Sequence, residues 1–179
     1  MKNKIKHSLP NLLTFINLSL GIIALLFAIK NEVIQASLLV MVAALTDRFD
    51  GKVARMLDCT SELGKELDSL SDLVSFGVAP IIIAWRISFF DIGVIGYLLA
   101  VIFPIAGAYR LARYNVTTFN NVFCGIPITI AGAFLSIINL YNSFSHIRRT
   151  YSDINTIVCG VVIVLLSYLM ISKIQIKKR

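Results

Sequence analysis

Four aspartates fall in the stretch Asp47-Arg48-Phe49-Asp50-Gly51-Lys52-Val53-Ala54-Arg55 and, after a short spacer, in Gly64-Lys65-Glu66-Leu67-Asp68-Ser69-Leu70-Ser71-Asp72. They adjoin strongly apolar sequence, where an ionised Asp at mid-membrane depth costs about 2.5–3.5 kcal/mol. Asp47 and Asp50 are three apart and share one helix face; Asp68 and Asp72 are four apart and share another. Gly51 and Gly64 bring no side chain, so a ligand or a second helix can approach closely there. If the two segments are antiparallel neighbours, the carboxylates converge on one small volume, and such a group must be protonated or must bind cations. Ligation by carboxylate oxygen alone favours a hard divalent cation such as Mg²⁺, Mn²⁺ or Ca²⁺. Ion pairing with Arg48, Lys52, Arg55 and Lys65 is the plainer alternative, but it leaves the convergent spacing and the glycines unexplained.

The elements that must position these groups are membrane helices. Hydrophobic residues make up 57% of the chain and charged residues 15%, a balance that points to a polytopic membrane protein. Hydropathy predicts an all-α fold, one domain over 1–179, with about six transmembrane helices in one bundle. The expected spans are residues 9–29, 33–56, 63–90 with a kink at Pro80, 92–114, 127–141 and 154–171. Residues 1–8 read as a basic interfacial segment, 116–124 as a polar loop and 173–179 as a basic tail. The polar residues Asn11, Thr14 and Asn17 form a stripe at one end of the first helix. They also argue for an uncleaved helix over a signal peptide. Cys59, Cys124 and Cys159 have no paired spacing and no nearby His, which suggests reduced or buried thiols.

The net charge of +7 is not accompanied by a basic face with interleaved aromatics, so nucleic acid is not an expected partner. With a cytoplasmic N-terminus and six spans, most of the 17 basic residues fall on the cytoplasmic side. Only Lys30, Arg86, Arg148 and Arg149 fall outside, the Arg148-Arg149 pair being a local violation. The same topology gathers the Asn11–Asn17 stripe, the aspartates, Arg110, Arg113 and Gly125 at one cytoplasm-facing end. Intramembrane ionisable groups gathered in this way mark function. A cation transporter would instead place carboxylates near the bilayer midplane.

The pattern Asp47-x2-Asp50-Gly51-x2-Ala54-Arg55-x8-Gly64-x3-Asp68-x3-Asp72 resembles the signature of the CDP-alcohol phosphatidyltransferases at every fixed position. The run from Glu66 to Pro80 and the element Phe123-Cys124-Gly125-Ile126-Pro127 resemble the phosphatidylserine synthase branch. They depart from that branch at Ile126, where it has Leu, and at Thr129, where it has a second Pro. The resemblance implies CDP-diacylglycerol as donor, L-serine as acceptor, CMP as leaving group, and two Mg²⁺ or Mn²⁺ ions. It implies Asp47, Asp50 and Asp68 as principal metal ligands, with Asp72 on a second metal and serving as the base. Asn11 and Thr14 would lie beside the nucleotide, Gly51 and Ala54 would leave room for cytidine, and Gly64 would permit close backbone approach. Arg55 would pair with the diphosphate. Arg110 and Arg113 share one face and would either anchor topology or meet an acceptor or lipid phosphate. The resemblance further implies a homodimer in the cell membrane. Glycerol 3-phosphate or another phosphorylated alcohol is the alternative acceptor.

Overall fold

Small side chains dictate the first helix pair. In lipid there is little hydrophobic drive between helices, so close backbone packing must hold them together. Helix α1 (Lys2–Ile29) and helix α2 (Val33–Leu57) meet through Ala24, Ala28, Ala36 and Ala43, none more than 1% exposed. The turn between them is closed by Asn31 at φ 65°, a left-handed conformation that Asn tolerates. The computed structural model describes the backbone of residues 2–57, 61–116, 122–172 and 175–177, and the side chains of residues 11–49, 61–116 and 125–172. The expected interfacial segment at 1–8 is helical from Lys2 onward and continuous with α1.

Helix α3 (Glu62–Phe89) is not uniformly α-helical. Two π-helical segments, Leu73–Val78 and Trp85–Phe89, flank the short α-segment Ala79–Ala84. The chain stays helical through Pro80, the expected kink position, with wider turns on either side of it. Pro80 lacks the N–H that would bond four residues back, and a π-turn is one way to absorb that loss. The neighbouring helix contributes as well, because Asn139 Nδ2 donates to the Pro80 carbonyl at 2.8 Å.

Helix α4 (Val94–Val116) leads to strand β1 (Val122–Cys124), helix α5 (Ile128–Ile147), helix α6 (Asp153–Ile171) and strand β2 (Gln175–Lys177). The two strands form an antiparallel ribbon with Phe123 opposite Ile176. Parts of the expected loop and basic tail are therefore paired with each other. Helix α5 also runs past Tyr141, where it was expected to stop. Asn142, Ser143 and Ser145 look like the end of a span but are buried. Ser143 and Ser145 donate to the carbonyls of Asn139 and Tyr141 within the helix, so their polarity is absorbed locally.

Among the described residues, α1 (from Asn11), α3, α4, α5 and α6 are long and apolar enough to cross a membrane. The 25-residue α2 packs along α1 and carries charge only toward its second half. The all-α expectation is met, the short ribbon being the exception. Leu98, Val101, Ile102 and Ile105 on α4 are exposed in the isolated chain, as side chains facing lipid must be. Cys159 is a buried free thiol; the side chains of Cys59 and Cys124 lie outside the described residues.

Candidate metal centre

Helix α3 begins at the end of the bundle where α2 finishes, and its first turn is set by its own sequence. Ser61 is the N-cap and accepts from the Gly64 N–H at 3.0 Å, while Glu62 sits in the first turn, as a helix N-terminus favours. At Gly64 a Cβ would stand 3.0 Å from Ser61 Oγ and 3.2 Å from Asn11 Oδ1 of α1. Further along, Ser71 Oγ donates to Thr14 O at 3.1 Å and Ser75 Oγ to Asn17 O at 2.9 Å. Gly21 deepens this contact, since a Cβ would lie 2.8 Å from the Ser75 Cα. These bonds clamp α3 to α1 on both sides of Asp72 and fix the rotation of α3 about its axis.

That rotation turns Asp68 and Asp72 toward Asp47 on α2. One carboxylate oxygen from each of the three lies within 4.8 Å of the other two. Asp72 is buried, and Asp47 and Asp68 are half-buried. Asp47 lies within side-chain hydrogen-bonding reach of Asp72 and of Thr129 at the start of α5. The start of α5 is itself held in place. Ile126 N donates to Leu169 O at 3.3 Å, and Gly125, at φ +77°, lies against the carbonyls of Leu169 and Met170. A side chain at Gly125 would meet both strain and backbone.

The predicted ion pairs do not neutralise this cluster among the described residues. Arg48 is exposed. Lys65 Nζ donates to Asn115 O at 3.2 Å and lies over the Tyr114 ring. Asn115 Nδ2 in turn bonds Glu66 Oε1 at 3.1 Å and Ser69 Oγ at 3.0 Å, tying α4 to α3 beside the carboxylates. Asp50, Gly51, Ala54 and Arg55 continue the α2 backbone, and their side chains lie outside the described residues.

Arg110 and Arg113 part company. Arg113 donates to Ile171 O at 3.0 Å and to Ser172 O at 3.4 Å, carbonyls that the end of α6 leaves without helical partners. Arg110 is partly buried within electrostatic reach of Asp72, and its Nε has no hydrogen-bond partner. The donor set fits a hard divalent cation: three oxygens from two helices, close together, part-buried and bordered by a hydroxyl. Sequence reasoning missed the contact made by Thr129 and the clamp made by Asn115, Ser71 and Ser75. The signal for the clamp was faint: Ser71 and Ser75 are four apart, facing the polar stripe of α1.

The family model described as CDP-alcohol phosphatidyltransferase matches residues 7–172. The CDP-diacylglycerol–serine O-phosphatidyltransferase of Bacillus subtilis is 35% identical, over 93% of this chain and 88% of its own length. The protein of the same name from Helicobacter pylori is 36% identical, over 93% of this chain and 70% of its own. The archaetidylserine synthase of Methanothermobacter thermautotrophicus is 34% identical, over 94% of this chain and 69% of its own.

Proposed function

The chain belongs to the CDP-alcohol phosphatidyltransferase family, and on that premise we propose that it transfers the phosphatidyl group of CDP-diacylglycerol to the hydroxyl of L-serine. The products are phosphatidylserine and CMP. The observation that carries the reading is the convergence of Asp47, Asp68 and Asp72 within 4.8 Å at one end of a membrane-helix bundle, where a lipid-bound diphosphate meets water.

In this proposal Asp47, Asp50 and Asp68 hold the first of two ions, Mg²⁺ or Mn²⁺, and Asp72 shares the second. Bound there, the ions neutralise charge on the donor diphosphate and orient it for displacement. Asp72 takes the proton from the serine hydroxyl as its oxygen bonds to the diacylglycerol-bearing phosphorus and the bond to CMP breaks. Thr129 and the bonds from Ser71 and Ser75 hold Asp47 and Asp72 in register, so orientation is built in before substrate arrives. Asn11, Thr14, Gly51, Ala54 and Gly64 form the donor side, with Arg55 on the diphosphate. His146 does not support a covalent route, because it closes α5 at the end of the bundle opposite the carboxylates; the side chain of His7 lies outside the described residues.

Serine as acceptor is tested by incubating membranes with CDP-diacylglycerol and either labelled serine or labelled glycerol 3-phosphate. Serine label should enter the chloroform phase as CMP is released. Preferential incorporation of glycerol 3-phosphate would overturn the assignment.

Arg110 is the cation placed to meet a carboxylate or phosphate beside Asp72. Arg110→Ala is expected to raise the apparent KM for serine or donor by about tenfold or more, the loss of one charge-assisted pair. Arg113→Ala is expected to lower thermal stability while leaving KM within about twofold, because its bonds are to backbone. Steady-state kinetics with thermal denaturation decide it; unchanged kinetics in Arg110→Ala would reduce Arg110 to an anchor.

The protein is a multi-pass membrane protein. A homodimer in the cell membrane, with the carboxylates facing the cytoplasm, is supported by the resemblance and the basic-residue asymmetry. An impermeant thiol reagent should modify Cys59 in inside-out vesicles and not in intact cells. The reverse pattern would invert the topology. Cross-linking of the protein in membranes checks the dimer, and a monomer throughout would refute it.

A further inference from the structure

The bundle end opposite the carboxylates carries a polar cleft that the transfer reaction does not use. It lies among the α1–α2, α3–α4 and α5–α6 turns. Two cavities of about 500 and 480 Å³ meet there, both lined by Arg86, Ile87 and His146. Arg86 sits in the second π-turn of α3. Its guanidinium stacks over the Phe90 ring at 4.6 Å and makes no ion pair or hydrogen bond to any described residue. The exposed Asp91 and Asp153 line one cavity with Arg86, and the part-buried Glu32 lines the other, yet none of these carboxylates pairs with Arg86. A part-buried cation and two carboxylates thus share a pocket of headgroup size without neutralising one another.

The depth is set independently. Trp85 packs on Phe90 at 5.0 Å and on Tyr97 at 5.7 Å between ring centroids, the kind of aromatic cluster that marks the headgroup level of a bilayer. His146 stacks on Tyr151 at 3.8 Å, and the Tyr151 hydroxyl shares a 2.7 Å hydrogen bond with Thr156, giving the cleft a braced wall. Charges at this depth are stabilised by partners of opposite sign, and Arg is suited to bidentate phosphate recognition.

We propose that this cleft binds the headgroup of a zwitterionic aminophospholipid, its phosphate against Arg86 and its ammonium toward Asp91 and Asp153. An anionic lipid without an amine satisfies Arg86 and leaves both carboxylates facing it unpaired, so the amine is what selects the ligand. The exposed Arg148 and Arg149 lie beside the cleft and do not line either cavity.

The test is native mass spectrometry of the delipidated full chain, titrated with phosphatidylethanolamine, phosphatidylglycerol or free phosphoethanolamine. Phosphatidylethanolamine should bind about tenfold tighter than phosphatidylglycerol, and Arg86→Ala should weaken it by about tenfold. Asp91→Asn with Asp153→Asn should erase the preference for the amine. Asp72→Asn, at the far end, should leave phosphatidylethanolamine binding unchanged. Serine incorporation by Arg86→Ala reports that the variant is folded, and Arg86→Lys, with partial loss of lipid binding, replaces it if it is not. Equal binding of the two lipids by the wild type, or loss of binding in Asp72→Asn, would overturn the proposal. Free phosphoethanolamine binding as tightly as the lipid would refute a lipid ligand.

Discussion

Asp72→Asn is expected to abolish turnover, by about 10²-fold or more on general-base magnitudes, while much of the affinity for the donor survives. Asn keeps the size of Asp and removes its charge and nearly all of its basicity. Asp72 is the most buried of the three converging carboxylates, and the bonds from Ser71 and Ser75 to α1 hold its stretch of α3 rigidly. The substitution therefore removes a proton acceptor without moving the site. Calorimetry of a CDP-diacylglycerol analogue with divalent cation, on detergent-purified protein, separates binding from turnover. An active Asp72→Asn enzyme would place the base elsewhere.

Removal of divalent cation should take serine incorporation to background, and Mg²⁺ or Mn²⁺ should restore it. Asp47→Asn, Asp50→Asn and Asp68→Asn should each raise the cation concentration needed for half-maximal rate and lower donor affinity together with turnover. The expected loss in turnover is about 10²-fold, since the charge on a transferring phosphoryl group is then poorly compensated. This linked loss is what distinguishes the three from Asp72. Activity unchanged by an efficient chelator would refute a metal centre. Normal cation-dependent donor binding in all four variants would mean that the carboxylates are not the ligands.

Much of the site was legible because its information is local. Three- and four-residue spacings put each pair of aspartates on one helix face whatever else the chain does. The apolar run around them made their charge anomalous. Hydropathy placed the helices for the same reason: exposure to lipid is a property of each segment alone. The expectation differs at the end of α5, where local polarity reads as a boundary. Ser143 and Ser145 resemble a helix end, yet each bonds a carbonyl of its own helix and α5 continues to Ile147.

Contacts between helices were decided by tertiary structure. Arg110 and Arg113 are indistinguishable by type and spacing; only the arrival of the α6 C-terminus beside Arg113 separates them. Thr129 reads as a departure from a proline pattern, and its reach to Asp47 depends on α5 being pinned to the end of α6. The sequence by itself determined an all-helical membrane chain and the carboxylate spacing, because these follow from periodicity and transfer free energy residue by residue; the family chemistry came from the resemblance of the motif. The tertiary structure alone decided which faces meet, because Gly21 and the alanines of α1 and α2 specify only how closely backbones approach. The bonds from Ser71, Ser75 and Asn139 then select one rotation and register among the helices.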